Sequence, residues 1–379
     1  MKRALLSLGL CLTFLTASSC RSGGNDNRPT AAEDNGNIKI GVCADASPVG
    51  QATKNGAQLA ADEINKSGGV GGRPIELVFE DNGGTADGAS AAVARMTGQR
   101  HARAIVCGPS KASASAAAKA QESKVPLVTT SSTDPGLTAA GDYVFRVSFL
   151  DSFQGEAMAK YAANNIHAKT AAILSESDSE YSGDLARAFE ENFTKLGGQV
   201  TQKLTYAQSD QDFKTQLSAL HDSNPEVIYI PGHYAQVGRL AKQAREMGLK
   251  ATLLGGDGWN DPRLFEAGAD ALDGSYITGL FSANDPEAGV RKFSADYAAR
   301  FGGPPDPSAA LAYDATKLVA DALSRAGDPA KLRDTLAQTS NYNGLTGAVS
   351  FNPERNAVKP TQIFKIQGGK FYPVFRGDL

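Results

Sequence analysis

The chain is poor in the residues that mark several common classes of protein. Its 379 residues include only four cysteines and four histidines, too few for a disulfide-stapled small fold or a histidine-rich metal protein. Basic residues are not in excess, since 38 Lys and Arg stand against 41 Asp and Glu, a formal net charge of −3. A chain without a basic surplus is not expected to bind nucleic acid. Its hydrophobic content of 41% instead indicates a globular protein, long enough for two domains.

Motifs of common enzyme classes are missing as well. The first predicted strand is not followed by a GxGxxG sequence, and CGPSKA around Ser110 lacks the second glycine of a GxSxG nucleophile elbow. There is no Walker A sequence and no HExxH. We therefore expect a protein that is not an enzyme, without a cofactor or a bound metal.

The first 19 residues predict a signal peptide. Lys2 and Arg3 precede a mostly apolar stretch at 4–15, which is too short to span a bilayer. Small residues then lead to Cys20, a pattern that resembles the lipobox of bacterial lipoproteins. The resemblance implies cleavage before Cys20 and attachment of lipid to it; the alternative is ordinary secretion with Cys20 incidental.

The segment at 20–37 is predicted to be the lipidated cysteine and a flexible tether. Residues 21–37 contain no large apolar side chain and cannot contribute to a core. The expected location is therefore outside the cytoplasm, on a bacterial membrane, with the folded part facing the periplasm or the cell exterior.

From residue 38 onward, short apolar runs alternate with helical periodicity. Strands are predicted near 38–42, 75–81, 103–108 and 126–130, and a second set follows near 171–174, 200–206, 227–232 and 252–256. Alternating strands and helices are typical of a parallel sheet that is covered on both faces. The predicted fold class is therefore α/β, with two doubly wound parallel-sheet lobes.

The remaining residues predict three helices, near 290–301, 308–327 and 329–338, and isolated strands at 349–351 and 361–366. We expect them to complete the two lobes by crossing back between them. Crossings near 148–152, 279–284 and 343–348 make a hinge of three segments. The predicted division is lobe one at 38–150 plus 282–345, and lobe two at 151–281 plus 346–379.

Topology indicates where a ligand would bind in lobe one. In a sheet of order 2-1-3-4, ligands lie beyond the carboxyl ends of the strands, at the switch between strands 1 and 3. Ser110 follows the third strand and precedes a helix, whose first amides suit an anion; the alternative role for Ser110 is a plain helix cap. Ser131 and Thr133 follow the fourth strand.

Lobe two presents different chemistry at the corresponding strand ends. Tyr181 follows its first strand, His233 and Tyr234 its third, and Asp257 its fourth. A carboxylate that faces hydroxyls and free amides across a cleft suits a small zwitterion. The alternative for Asp257 is a capping or turn residue.

The sequence resembles the periplasmic leucine/isoleucine/valine-binding protein family, the type I solute-binding proteins of ABC transporters. The matching stretches run in order along almost the whole mature chain: GAQLAADEINKSGGVGGRPIELVFED (56–81), SSTDPGLT (131–138), LDSFQG (150–155) and KQAREMGL (242–249). The resemblance implies a monomer that captures a free amino acid, of the branched-chain type, by hinged closure and delivers it to the membrane subunits of an ABC permease. A ligand sensor of the same fold, or a binder of another solute such as an amide, an aromatic acid or a short peptide, remain alternatives.

The resemblance also implies roles for single residues. Ser110 and Thr133 match hydroxyls that hold the ligand's α-carboxylate and amino group, and the backbone at Ser131 assists. Asp257 matches an acidic residue on the α-ammonium, and Tyr181 a tyrosine that covers the ligand. Either His233 or Tyr234 matches a further aromatic residue. The family often places an aromatic residue after the first strand; here Val49 and Gly50 stand in that region.

Two cysteines remain after Cys11 leaves with the signal peptide and Cys20 is lipidated. Cys43 and Cys107 end the first and third strands, which are neighbours in the expected sheet. Because exported proteins meet oxidising conditions, a Cys43–Cys107 disulfide is our hypothesis, and two buried thiols are the alternative.

Overall fold

The computed structural model describes residues 36–108 and 113–379. The predicted signal peptide, Cys20, the tether up to residue 35 and Ser110 lie outside the described residues. The described part alternates strands and helices in the order that the sequence predicts.

The first sheet is five-stranded and entirely parallel, in the order β2-β1-β3-β4-β5. Its strands are β1 (Ile38–Cys43), β2 (Ile75–Glu80), β3 (Ala104–Cys107), β4 (Leu127–Thr129) and β5 (Val144–Arg146). The predicted order 2-1-3-4 is thus confirmed. Sequence analysis missed β5, because three residues ending in an arginine carry too little periodicity to indicate a strand.

The second sheet is seven-stranded, in the order β15-β14-β10-β9-β8-β6-β7, and a small sheet joins β11, β12 and β13. The bounds of these strands are β6 (Thr170–Glu176), β7 (Gln199–Tyr206), β8 (Val227–Tyr229), β9 (Thr252–Gly255), β10 (Tyr276–Thr278), β11 (Tyr342–Gly344), β12 (Gly347–Phe351), β13 (Ala357–Val358), β14 (Thr361–Gln367) and β15 (Lys370–Gly377). The four predicted strands of this set are β6 to β9. They pair in parallel, whereas β14 and β15 are antiparallel.

Helices cover both faces of each large sheet. Their bounds are α1 (Pro48–Lys66), α2 (Ala86–Ala94), α3 (Ser113–Ser123), α4 (Asp151–Asn164), α5 (Glu180–Lys195), α6 (Lys214–Ser223), α7 (Tyr234–Glu246), α8 (Ala288–Phe301), α9 (Pro307–Ala326) and α10 (Leu332–Ala337). Apolar side chains of α9 and α10 pack on one face of the first sheet, and those of α2 and α3 on the other. Helices α6 and α7 cover one face of the second sheet, and α4 and α5 the other. Among the described residues, none of the helices combines the length and the apolar character that a membrane crossing requires.

Helix α1 begins at Pro48, only five residues after the end of β1. Ser47 caps the helix, since its hydroxyl accepts a hydrogen bond from the amide of Gly50 at 3.1 Å, and Pro48 is suited to the first helical position. Val49 and Gly50 therefore belong to the first turn of α1. Further along, a Cβ at Gly56 would lie 2.0 Å from the carbonyl oxygen of Ala309, so this glycine allows α1 and α9 to pack closely.

The chain passes from one large sheet to the other between β5 and α4, and returns between β10 and α8. Strands β12 and β13 pack beside the first sheet: the rings of Phe145 and Phe351 lie 5.2 Å apart, and Asn356 forms a bridge with Arg146. Strand β14 of the second sheet begins only at Thr361. The division into lobes stays a prediction, and these contacts favour a third boundary near 359 rather than at 345.

A buried lysine connects the segments at which the chain passes between the sheets. The Lys359 ammonium donates hydrogen bonds to the carbonyl oxygen of Val147 and to the Thr346 hydroxyl. The Asp314 carboxylate accepts from the amides of Leu345 and Thr346 at 2.7 and 2.8 Å. Burial lowers the pKa of Lys359 to about 8, against the attraction of the Asp314 carboxylate. This cluster therefore links α9, through Asp314, to residues near two of the crossings. Val147 lies just before the first crossing, and Thr346 and Lys359 lie near the third.

Cys43 and Cys107 are register partners on adjacent strands, as expected. Both are nevertheless free, buried thiols, so the structure contradicts the disulfide hypothesis and agrees with the alternative. The two thiols are nonetheless neighbours, and a hydrogen bond between them lowers the pKa of Cys43 and raises that of Cys107.

Candidate functional site

A cavity of about 620 Å³ lies beyond the carboxyl ends of strands from both large sheets. On the side of the first sheet it is lined by Val49 of α1 and by residues 131–135, which follow β4. On the side of the second sheet it is lined by Tyr181, His233 and Asp257. The cavity thus brings together Ser131, Thr133, Tyr181, His233 and Asp257, all of which were selected from the sequence.

The wall beside the first sheet carries hydroxyl groups. Ser131 and Thr133 line the cavity, and the buried Ser131 hydroxyl has no hydrogen-bond partner among the described residues. Asp134 caps the short 3₁₀ helix at Pro135–Ala140 by accepting from the amide of Gly136 at 2.8 Å. This wall therefore offers one hydroxyl, that of Ser131, without a partner among the described residues.

Asp257 opens a short 3₁₀ helix at Asp257–Trp259, directly after β9. Its Oδ1 accepts hydrogen bonds from the Tyr181 hydroxyl at 2.7 Å and from Nε2 of Gln154 at 2.9 Å. Both of these side-chain hydrogen bonds fall on Oδ1, which leaves Oδ2 for another partner. Burial raises the pKa of Asp257, and the bonds from Tyr181 and Gln154 oppose this shift. One carboxylate oxygen is therefore held by the protein, and the other is free to meet a ligand.

Tyr181 lies in the first turn of α5, after the capping residue Ser179. While its hydroxyl donates to Asp257, it also accepts from the amide of Gly258 at 2.9 Å. Burial and the nearby Asp257 carboxylate raise the pKa of Tyr181. The single hydroxyl proton is thus committed to Asp257, and the ring is the part of Tyr181 that can contact a ligand.

The structure decides between His233 and Tyr234. His233 lines the cavity, its ring 5.0 Å from that of Tyr181, and its Nδ1 lies 3.0 Å from a carboxylate oxygen of the buried Glu176. Tyr234, the first residue of α7, instead lies under the Arg263 guanidinium, 4.5 Å from its ring centroid. Tyr234 is therefore not a wall of the cavity, which corrects its inclusion among the candidates.

Sequence reasoning missed Asp151 and Gln154, both near the start of α4. Asp151 lines the cavity, and Gln154 is fully buried beneath it. Gln154 fixes Asp257 twice, because its Oε1 also accepts from the amide of Asp257 at 2.9 Å. The usable signal was their spacing of three residues, which puts both side chains on one helix face at a predicted crossing.

Chemically, the cavity can hold a small molecule that carries both an anionic and a cationic group. In the described part of the chain, no group of three or more His, Cys, Asp or Glu side chains is arranged to hold a metal ion. Strand ends of two large α/β sheets meet at one polar cavity. This arrangement is typical of solute-binding proteins.

Comparison with known proteins identifies the family. A family model described as "Periplasmic binding protein" matches residues 37–370, and the chain belongs to this family, whose members bind solutes and are not enzymes. The chain is 30% identical over 347 residues to the Leu/Ile/Val-binding protein BraC3 of Rhizobium johnstonii, which covers 88% of this chain and 92% of the relative. The resemblance seen in the sequence is thus confirmed.

Solved structures agree in fold. The branched-chain amino acid transporter substrate-binding protein LivJ of Streptococcus pneumoniae, in complex with isoleucine, is 33% identical with a TM-score of 0.79, over 90% of this chain and 99% of that one. A solute-binding protein of an ABC transporter from Rhodopseudomonas palustris, in complex with 3,4-dihydroxybenzoic acid, is 25% identical with a TM-score of 0.76, over 90% and 97% of the two chains. The α/β fold class expected from the sequence is confirmed by these neighbours.

Proposed function

We propose that this protein captures a small amino acid, of the branched-chain type, in the cavity between the two sheets and presents it to an ABC importer. The observation that carries the proposal is that the unpartnered Ser131 hydroxyl, with Thr133 beside it, lies on the opposite side of the cavity from the Asp257 carboxylate, whose Oδ1 alone accepts from Tyr181 and Gln154. This is the arrangement that a zwitterion requires, since its carboxylate needs donors and its ammonium needs an anion.

In this proposal the ligand carboxylate lies against the wall of the first sheet. Ser131 and Thr133 donate to it, with Ser110 and the amides that begin α3 completing the site as the family resemblance implies. The Asp257 carboxylate receives the ammonium, and the rings of Tyr181 and His233 cover the ligand. Three or four charge-assisted hydrogen bonds of about 1.5–3 kcal/mol each, less the cost of ordering, are compatible with micromolar affinity, about −8 kcal/mol.

The branched-chain assignment rests on the relatives, because the names of BraC3 and LivJ refer to Leu, Ile and Val or to branched-chain amino acids. Val49 and Pro135 offer apolar contacts for such a side chain. Since the walls come from both sheets, a ligand that touches both stabilises the closed arrangement of two lobes. A permease would then recognise the closed protein, which acts as a monomer.

Lipid attachment at Cys20 is the second part of the proposal. The family name supports export to the periplasm, and the predicted lipobox supports a lipid that holds the protein to a membrane. Labelling of cells with a radioactive fatty acid should mark the parent protein and not the variant Cys20→Ser. Equal labelling of both would exclude lipid at this residue.

A second candidate ligand is an aromatic acid. It is favoured by the Rhodopseudomonas palustris neighbour with its bound dihydroxybenzoic acid and by the absence of an aromatic side chain at Val49, which leaves room for a ring. Such a ligand has no ammonium, so it would leave Asp257 without a cation. Isothermal titration calorimetry with L-leucine, L-isoleucine and 3,4-dihydroxybenzoate separates the candidates. We expect binding of the amino acids, and binding of the benzoate alone would overturn the proposal.

A further inference from the structure

Two carboxylates, the buried Asp151 and the half-buried Asp257, share one amide group beside the cavity. Nε2 of Gln154 donates to Oδ1 of Asp257 at 2.9 Å and lies 3.5 Å from Oδ1 of Asp151. Asp151 is only 4% exposed, and it also interacts with the hydroxyl of Thr133. Asp151 therefore connects the two sides of the cavity. It shares Gln154 with Asp257, and it contacts Thr133 in the wall beside the first sheet.

No Lys, Arg or His side chain among the described residues forms an ion pair with either carboxylate. Within residues 36–108 and 113–379, neither Asp151 nor Asp257 has a Lys, Arg or His nitrogen within 4.0 Å. None of the described residues that line the cavity is Lys or Arg. Arg146 of β5 attracts Asp151 electrostatically, but it is fully buried and donates through Nη2 to the carbonyl oxygen of Asp134.

The other charged groups around Asp151 do not change this balance. From α5, the Asp184 carboxylate adds negative charge, and the Tyr181 hydroxyl is committed to Asp257. From the start of α7, His233 acts on Asp257 and is itself paired with Glu176. Two carboxylates this close cannot both be ionised at low cost unless a cation joins them.

We propose that Asp151 is a second carboxylate partner of the ligand's ammonium, and that amino-acid binding expels the proton that Asp151 carries in the free protein. This inference rests on the proposed function and deepens it. A primary ammonium has three N–H donors, so it can bond to Asp151, to Asp257 and to one oxygen of the hydroxyl wall. The site therefore selects a primary ammonium over an N-methylated amine or a hydroxyl group.

The direction of the pH dependence follows from the same geometry. Burial and the neighbouring Asp257 carboxylate raise the pKa of Asp151 to about 7, against the Thr133 hydrogen bond and Arg146. Below that pH the ligand must displace a proton, which passes to the buffer, and above it the carboxylate is already ionised. Affinity for L-leucine is therefore expected to rise about thirtyfold between pH 5.5 and pH 8.

The test is calorimetry of L-leucine binding in two buffers of different ionisation enthalpy, which counts the protons released. We expect the parent to release close to one proton at pH 5.5 and almost none at pH 8.5. Asp151→Asn should release none, should bind at least about tenfold more weakly at pH 8, and should lose the pH dependence. Asp222→Asn, the same change on an exposed turn of α6, should behave as the parent.

Each result has a defined meaning. Parent protein that binds leucine without releasing protons at pH 5.5 overturns the inference and leaves the proposed function intact, and this readout does not depend on the variant folding. N,N-dimethyl-L-leucine, which keeps a single N–H, likewise overturns the two-carboxylate site if it binds as tightly as leucine. If the parent binds no amino acid at all, the proposed function fails and the inference with it.

Discussion

Asp257→Asn is the substitution that isolates the cation site with the least change of shape. The amide oxygen of asparagine can still accept from Tyr181 and Gln154, as Oδ1 of Asp257 does at 2.7 and 2.9 Å. The amide nitrogen then replaces Oδ2, so an acceptor with a negative charge becomes a neutral donor. Because burial raises the pKa of Asp257, the change removes a charge that the fold does not favour, and we expect no loss of thermal stability.

The expected loss of affinity follows from the burial of the pair. Removal of one partner of a buried, hydrogen-bonded charge pair costs about 2–5 kcal/mol, which corresponds to roughly 30- to 4,000-fold in Kd. The assay is calorimetry at pH 8 with L-leucine and its 2-hydroxy analogue, on the parent and on Asp257→Asn. The hydroxy acid lacks the ammonium, so its affinity should differ by less than about threefold between the two proteins.

The comparison of leucine with its 2-hydroxy analogue on the two proteins decides whether Asp257 contacts the ligand's ammonium. If leucine binds the variant within threefold of the parent, Asp257 does not meet the ammonium, and the orientation of the ligand is wrong. If both ligands lose affinity equally, Asp257 acts through the structure of the site, and the argument from Oδ2 as the partner of the ammonium fails.

Three further outcomes are expected. Lys359→Met should lower the free energy of unfolding by about 3–5 kcal/mol, because it leaves the Asp314 carboxylate buried without its cation. In urea unfolding, the double variant with Asp314→Asn should recover part of this loss. A Lys359→Met protein with the same urea midpoint as the parent would contradict this role. The ligand-free parent should lose stability relative to Asp151→Asn as the pH rises from about 4 to 7, since folded Asp151 keeps its proton up to a pKa of about 7 whereas the unfolded group releases it near 3.8; parallel melting curves across this window would refute it. Ligand binding should change the fluorescence of Trp259, the one tryptophan of the chain, which is buried two residues from Asp257; a spectrum unaffected by a ligand that calorimetry detects would show that the 3₁₀ helix does not respond.

Much of the fold was predictable because both large sheets are built from local alternation. The apolar strands β1, β3, β6 and β8 are short continuous runs, and a parallel sheet buried on both faces requires such runs. The strands that were missed have weaker patterns: β5 and β10 are three residues long, and β15 alternates exposed and covered positions. They form because a neighbouring strand supplies hydrogen bonds, which no local pattern records.

The candidate site was predictable to the extent that it follows strand ends. Ser131, Thr133, Tyr181 and Asp257 each come just after a strand or at the start of the next helix, so the topology brings them to one edge. Helix phase, by contrast, decided that His233 and not Tyr234 faces the cavity, since adjacent residues at a helix start point about 100° apart.

By itself, the sequence determined the α/β class, the parallel order of the strands, the family and the strand ends that meet at the cavity. These depend on hydrophobic period and on the order of elements, which are written along the chain. Only the tertiary structure decided that Cys43 and Cys107 are neighbouring free thiols, that the Tyr181 hydroxyl donates a hydrogen bond to Asp257, and that Asp151 and Asp257 share the amide of Gln154. Such facts depend on distances between residues that are far apart in the chain, and a few tenths of an ångström separate a hydrogen bond from mere proximity.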